Sequence, residues 1–411
     1  MKLNIKSVLF LGVGGISMHQ LAIAFKQMGA IVYGYDAKKS KYTEICKNNG
    51  VEFTTKFNAD FCNVDLCITT GAIKSNKYLN VLKSKGIKVV DRAEILGWFC
   101  KQFKTVIAVA GTHGKSTTAS LIYEVLKYAG KKVSCHIGAE VYSPRFELGD
   151  DYLVVEACEY NKSFLKIHPN IAVVTNVEAE HMDSYSSMFC LKSAFLTFLK
   201  RARKRYVFKC KSTKFLSKCK NVTNVLDCNL KLNPQIKGEY NLNNINLAIK
   251  VCQDVGVSDN DIVSVVNKFK GVARRYEFIG EFNKTKIFID YAHHPTEIKN
   301  FVSAFSNEFK NFLIIFQPHT YSRTKMFLKD FCNVLSKIDN LIIFKEYAAR
   351  EKSIAGLTSK ELYYKVKEFN EKVEYSSNIK KVENVINKYS AVAFVGAGDI
   401  NLIAQKLLSI K

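Results

Sequence analysis

The chain alternates short apolar runs with stretches of helical character. VLFLGV (8–13) passes through a glycine turn into a helical stretch, Ser17 to Met28, and then into IVYGYD (31–36). LCITTG (66–71) and KVVD (88–91) lie between further helical segments. The β-branched run Val106 to Ala110 ends in a loop of small residues, with a helix-compatible stretch from Ala119 to Ala129. YLVVEA (152–157), IAVVTNV (171–177), a helix from Met188 to Leu199 and the run YVFK (206–209) follow, and residues 237–252 suit a helix start with a buried face. From Phe278 to Asp290 the pattern reads as a hairpin turning near Asn283-Lys284. Beyond it come helix 296–309, strand FLIIFQ, helix 324–337, strand LIIFKE, helix 358–369, strand VEYS, helix 379–389, strand AVAFVGAG and a final helix.

Short apolar runs bounded by turn residues read as buried strands. Their regular alternation with helices implies mostly parallel sheets joined by right-handed crossovers. The expected fold is therefore α/β in three domains: a Rossmann-like domain over 1–102, a central domain over 103–272 whose loop Gly111 to Thr117, between a strand and a helix, marks it as a P-loop ATPase domain, and a second Rossmann-like domain over 273–411.

Composition narrows this only a little. The 411 residues, 47% of them apolar, suffice for several cores. Twelve cysteines are scattered without C-x-x-C pairs or a His/Cys cluster at zinc spacing, as expected for reduced thiols in a cytoplasmic protein. The N-terminal apolar run is short and enters a glycine turn and a helix instead of a cleavage site, so a signal peptide is not expected. No run reaches membrane-spanning length. The net charge of +24 suits nucleic acid, an anionic membrane or polyanionic small substrates. Its densest cluster, Lys200 to Arg205, follows a helical stretch and reads either as a solvated helix end or as a binding patch. No aromatic-interleaved basic motif of a nucleic-acid module is present.

The chemistry concentrates where strands end. Gly111-Thr112-His113-Gly114-Lys115-Ser116-Thr117 follows a strand and opens a helix. In such a loop backbone amides and the helix N-terminus face a polyphosphate, the lysine reaches its outer phosphates and the serine hydroxyl holds Mg²⁺. Glu159 and the segment Glu178 to Asp183, with His181, follow neighbouring strands, so a carboxylate and an imidazole can share one metal ion beside a triphosphate. In the first domain the turn Gly12-Val13-Gly14-Gly15-Ile16-Ser17 is a variant dinucleotide fingerprint, and Asp36 ends the second strand where a ribose-binding acid would stand. In the third domain the pair His293-His294 lacks further ligands at zinc spacing. His319 and Arg323 suit a carboxylate or phosphate, and Arg274-Arg275 sits at the junction of the last two domains.

Many segments together carry a resemblance to the Mur ligases of peptidoglycan precursor synthesis. They include FLGVGGISMHQLA (10–22), VAGTHGKSTTAS (109–120), VVEACEYNKSF (154–164), TNVEAEHMDSY (175–185), GEYNLNNINLA (238–248), GVARRYEFIG (271–280), IDYAHHPTE (289–297), FQPHTYSRT (316–324), YAAREKSIAG (347–356) and VGAGDI (395–400). The Gly-Thr-His-Gly-Lys, His-His-Pro and Gln-Pro-His segments point to the alanine-adding branch. The resemblance implies an ATP- and Mg²⁺-dependent ligase that joins L-alanine to the lactyl carboxylate of UDP-N-acetylmuramate through an acyl phosphate. Lys115, Glu159 and His181 would be catalytic, and Ser116, Glu159 and His181 would hold metal. Gly111 to Thr117, Asn241, Asn244, Arg274, Arg275 and Asp290 would bind ATP. Gly12, Gly14, Gly15, Ile16, Ser17 and Asp36 would bind the UDP substrate. Tyr291, His293, His319 and Arg323 would bind the amino acid. It further implies a cytoplasmic monomer or weak homodimer, without nucleic-acid or membrane partners. Tyr206 and Tyr240 stand closer together than the resemblance leads one to expect, so a peripheral strand group of the central domain is expected to be absent. A paralogue such as a murein tripeptide ligase, and a nucleic-acid-binding P-loop ATPase suggested by charge alone, remain as alternatives.

Overall fold

The computed structural model describes residues 5–57, 61, 63–71, 73, 77–139, 150–349, 351–354 and 356–409. Ala72 lies outside them, as do Arg350 and Ala355 of the segment 347–356 quoted above. Three β-sheets organise the chain, and the described residues cluster into two compact units. One comprises residues 1–233 and 243–269, the other 234–242 and 270–411.

The first unit holds two sheets. β1 (Ser7–Leu11), β2 (Ile31–Tyr35), β3 (Glu52–Thr54), β4 (Leu66–Thr69) and β5 (Lys88–Asp91) form a parallel sheet of order β3-β2-β1-β4-β5. The order reverses at β1, and open α/β sheets bind ligands at such a switch point. β6 (Thr105–Ala110), β7 (Val133–His136), β8 (Tyr152–Glu156), β9 (Ile171–Val174), β10 (Lys204–Phe208) and β11 (Val222–Val225) form a second, wholly parallel sheet of order β11-β10-β9-β6-β8-β7. Its central strand β6 is buried throughout except at Thr105, which explains its unbroken apolar sequence. Among the described residues no strand stands between β11 and the helix Glu239–Asp254.

One apolar core runs through both sheets, from Val8 and Phe10 to Phe164, Phe195 and Phe198. The two halves meet where helix Arg92–Cys100 packs on the segment Tyr160–Lys166. Gly97 is required there: a Cβ would lie 2.3 Å from the Lys166 carbonyl oxygen.

The second unit is built on β12 (Glu277–Phe282), β13 (Thr285–Asp290), β14 (Phe312–Phe316), β15 (Leu341–Phe344), β16 (Glu374–Ser376) and β17 (Ala391–Val395), ordered β12-β13-β17-β14-β15-β16. Only β12 and β13 pair antiparallel. Their turn places Asn283 at φ 48° and Lys284 at φ 71°, the left-handed pair that matches the twist of a two-residue hairpin. Separate apolar layers cover the two faces of the sheet. The stretch 324–337 is two helices, Tyr321–Met326 and Leu328–Leu335, because Phe327 leaves the helical region (φ −111°, ψ 21°) and packs its ring against His294.

Among the described residues every cysteine is a free thiol, and no helix is long and apolar enough to cross a membrane.

Candidate active site

The carboxyl ends of β6, β8 and β9 converge. The helix after β6 runs Lys115–Tyr128, starting one turn earlier than its apolar periodicity indicates. Gly114 makes this possible: at φ +81° it turns the chain directly into the helix, and a Cβ there would lie 2.3 Å from Asn244 Oδ1. Gly111, at φ +140°, has Thr175 Oγ1 where a Cβ would be, 2.0 Å away. The loop therefore fits only as a backbone cradle, and the first-turn amides of the helix have no carbonyl partners within it.

The end of β9 holds this cradle in shape. Thr112 N donates to the Asn176 carbonyl at 3.0 Å and His113 N to Asn176 Oδ1 at 2.8 Å. Thr175 Oγ1 and Asn176 Nδ2 donate to the His113 carbonyl at 2.5 and 3.0 Å. Glu178 N donates to Thr112 Oγ1 at 2.8 Å, and the Glu178 carboxylate stands 3.7 Å from His113 Nε2.

Lys115 folds back over the loop. Its ammonium donates to the carbonyls of Gly111 (2.5 Å) and Thr112 (3.0 Å) and pairs with Glu159 at 3.1 Å. Burial opposes its charge, yet the surrounding groups, Glu159 foremost, raise its pKa above the ordinary lysine range. The group is a fixed cation. Glu159 is 1% exposed. Its carboxylate also lies 3.8 Å from His181 Nε2, and its backbone carbonyl accepts from the Tyr185 hydroxyl. His181 is held at φ +57° with its ring edge-on to Tyr160. Ser116 Oγ donates to Glu156 Oε2 at 2.8 Å. Glu156, the last residue of β8, was not singled out from the sequence. Its signal was present, since it sits two residues before Cys158-Glu159 in the same strand-end segment. A glycine cradle with a buried lysine fits a polyphosphate, and the two carboxylates and the serine hydroxyl beside it are the hard oxygen donors that suit magnesium.

At the first sheet's switch point Gly12 takes φ +85° and Gly14 N donates to Asp36 Oδ2 at 3.0 Å. A Cβ at Gly14 would lie 2.9 Å from that oxygen. Asp36 thus braces the turn. Gly15 caps the helix Ile16–Gln27 without a side-chain bond of its own. The Ser17 hydroxyl accepts from Arg92 Nη1 at 2.9 Å and lies 3.0 Å from His136 Nε2. Neither Arg92 nor His136 was singled out from the sequence, because each reaches Ser17 from a different strand end.

The second unit gathers the remaining candidates. Asp290, last in β13, is 4% exposed and accepts from Tyr276 N and Ala292 N, each at 2.7 Å. Burial pushes its pKa up to about 6, with Arg275 and the two amides pulling the other way. Arg275 Nη1 pairs with Glu297 at 3.1 Å. Burial alone would lower this guanidinium's pKa, and the carboxylates of Glu297 and Asp290 more than offset it, so it is raised. Arg274, at φ +63°, donates to the carbonyls of Gly396 and Gly398. Both guanidinium groups lie over the Tyr291 ring, 4.7 and 5.2 Å from its centroid. Glu297 also accepts from His293 N at 3.1 Å and completes the capping box of helix Pro295–Glu308 on His294. His293 and His319 face each other with ring centroids 6.0 Å apart, His319 stacks on Tyr347, and Arg323 Nη1 is 3.0 Å from His319 Nδ1. Asn241 and Asn244 are both buried on the helix Glu239–Asp254, Asn241 in the second unit and Asn244 in the first.

Comparison with known proteins matches this arrangement over the whole chain. Profiles for the Mur ligase family catalytic domain, the Mur ligase middle domain and the Mur ligase glutamate ligase domain match residues 7–104, 109–224 and 274–405. The UDP-N-acetylmuramate–L-alanine ligase of Caldicellulosiruptor bescii is 35% identical, over 95% of this chain and 96% of that protein. The chain belongs to the Mur ligase family. The enzyme of the same name from Francisella tularensis subsp. novicida is 31% identical over 98% of this chain and 99% of its own length. The crystal structure of the UDP-N-acetylmuramate–alanine ligase of Thermotoga maritima shares the fold with a TM-score of 0.83 at 23% identity, covering 99% of both chains. A murein peptide ligase of Psychrobacter arcticus superposes with a TM-score of 0.70 at 19% identity, covering 98% of both chains. The architecture is thus the three-domain α/β fold of Mur ligases.

Proposed function

We propose that the protein is the ATP-dependent ligase that joins L-alanine to the lactyl carboxylate of UDP-N-acetylmuramate, the first amino-acid addition in peptidoglycan precursor synthesis. The reading rests on full-length similarity to ligases of that name, and the observation that carries it chemically is the buried Lys115–Glu159 pair inside a glycine cradle.

The lactyl carboxylate attacks the γ-phosphate of ATP, giving an acyl phosphate and ADP. The amine of L-alanine then attacks the acyl carbon, phosphate leaves, and the amine gives up a proton. No protein nucleophile is required: catalysis is positioning plus neutralisation of charge on the transferring group. Lys115 takes the β- and γ-phosphates, exchanging the loop carbonyls for phosphate oxygens. The loop amides of Gly111 to Thr117 cradle the chain of phosphates. Ser116, Glu159 and His181 would hold Mg²⁺, which when bound would neutralise phosphate and carboxylate charge together. Asn241 and Asn244 serve adenine, and Arg274, Arg275 and Asp290 serve the nucleotide. The turn Gly12, Gly14, Gly15, Ile16 and Ser17, braced by Asp36, takes the UDP part. Tyr291, His293, His319 and Arg323 take L-alanine, Arg323 facing its carboxylate. The domain 1–102 takes the UDP part, 103–272 takes ATP and 273–411 takes L-alanine, in a cytoplasmic enzyme acting on small molecules, as a monomer or weak homodimer.

The step that defines this chemistry is tested with a heavy-oxygen label in the lactyl carboxylate. Acyl-phosphate formation moves one labelled oxygen into the released phosphate. Label found only in the product and never in phosphate contradicts the mechanism.

A further inference from the structure

His136 ends β7 and is 2% exposed. Its Nε2 lies 3.0 Å from Ser17 Oγ, which also accepts from Arg92 Nη1 at 2.9 Å. A guanidinium only donates, so the serine oxygen accepts from Arg92; the same His136 Nε2 also lies 3.4 Å from the Ser17 carbonyl, so the ring holds this residue at both its hydroxyl and its backbone. Burial, reinforced by the charge of Arg92, holds the imidazole down to about 3, so it stays neutral wherever the protein works. The next two residues extend the connection. The Ile137 carbonyl accepts from Gln20 Nε2 at 3.2 Å, on the same helix as Ser17. Gly138 N donates at 3.0 Å to Glu156 Oε2, the oxygen that also accepts from Ser116. Residues 136–138 therefore grip the helix after the Gly12–Gly15 turn at one end and the partner of the phosphate-loop serine at the other.

We propose that His136 is a positioning residue for the acceptor's diphosphate: by fixing the Ser17 hydroxyl it fixes the Arg92 guanidinium beside the Gly12–Gly15 turn. This rests on the assignment of that turn to the UDP part of the substrate. Arg92 uses one of its five donors on Ser17, and the others suit diphosphate oxygens. Holding a long side chain in place before the substrate arrives lowers the ordering cost of binding. A cationic ring at position 136 would repel Arg92, and an apolar side chain would leave the Ser17 hydroxyl unheld on that side. His136 thus acts through two other residues on a ligand that it does not touch.

Calorimetry with UDP as the probe, and steady-state kinetics with UDP-N-acetylmuramate, ATP and L-alanine, test this on the full chain. His136→Ala and Ser17→Ala should each weaken UDP binding about tenfold, the effect of one charge-assisted hydrogen bond. The KM for UDP-N-acetylmuramate should rise by the same factor, with kcat and the KM for ATP within about twofold. His136→Gln, whose amide reaches the place of Nε2 and can donate or accept there, should restore most of the loss. Wild-type UDP binding in both alanine variants overturns the proposal and leaves the ligase assignment standing. So does a loss in His136→Ala that falls equally on ATP and is not rescued by glutamine, which marks a merely structural role. A wild-type chain that fails to bind UDP overturns the proposal together with the assignment of the turn. A wild-type chain that binds UDP without alanine-dependent turnover contradicts the ligase assignment alone, and the calorimetry on the variants still decides the role of His136.

Discussion

At the scale of single residues, charge burial dominates. Lys115 and Glu159 are a buried pair 3.1 Å apart, and removing one partner leaves the other charge uncompensated, at a cost of about 3–5 kcal/mol. Lys115→Met should lower kcat by about 10²–10³ and lower the melting temperature, read by phosphate release and thermal unfolding. A variant melting like wild type would mean that Glu159 finds another partner. Asp290 gives a pH signature. Its pKa in the folded chain is raised to about 6. Between the ordinary carboxylate value and about pH 6, the folded chain keeps a proton that the unfolded chain has released. Its contribution to stability is complete at low pH and is lost as the pH rises through about 6. Asp290→Asn should remove that decline in a pH series of denaturant unfolding. An unchanged slope would show that Asp290 titrates normally. Lys115, Glu159 and His181 stood out in the sequence because each comes shortly after an apolar run at a strand end, whereas Asp290 entered only through the family resemblance. Glu156, Glu297, Arg92 and His136 were not, because their partners lie on other strands and no local spacing reports a pairing across a sheet.

At the scale of elements, the glycines of the phosphate loop carry the testable strain. Gly111→Ala meets both a disfavoured φ and Thr175 Oγ1 at 2.0 Å. The backbone term alone is about 1–3 kcal/mol. Gly114→Ala should be relieved in part by Asn244→Ala, which clears the contact at 2.3 Å and leaves the φ penalty. Thermal unfolding of the two single variants and the double variant measures this, and strict additivity would argue against the contact. The longer apolar strands and the hairpin at Asn283-Lys284 were legible from pattern and turn chemistry. β7 was not, for a physical reason: Ser134 and His136 are buried polar residues, Ser134 Oγ donating to Asp150 at 2.7 Å. A strand buried with its polar groups satisfied by partners elsewhere has no apolar signature. The break at Phe327 was equally silent, since it depends on a ring contact with His294.

At the scale of the molecule, alternation of strands and helices announced three α/β sheets but not their strand order. The placement of β7 outside β8, and of β17 between β13 and β14, is a tertiary choice. In the structure the basic run Lys200 to Arg205 links the end of helix Met188–Lys200 to the start of β10. Arg201 donates to the Leu165 carbonyl, Lys204 to that of Asp254, and Arg205 to those of Lys200, Ala202 and Lys220. These three cations satisfy backbone oxygens; the proposed function has the charge of +24 serve anionic small substrates. Added DNA or RNA should leave phosphate release unchanged. Stimulation that falls steeply with salt would favour a nucleic-acid ATPase.

The measurement that tests the central claim most directly is phosphate release from ATP and Mg²⁺ with UDP-N-acetylmuramate, with and without L-alanine, followed by mass spectrometry of the product. The account predicts alanine-dependent release and a single new species, UDP-N-acetylmuramoyl-L-alanine. Absence of that species in a chain that binds ATP, or its replacement by a tripeptide-bearing product when the tripeptide is supplied instead, would contradict it.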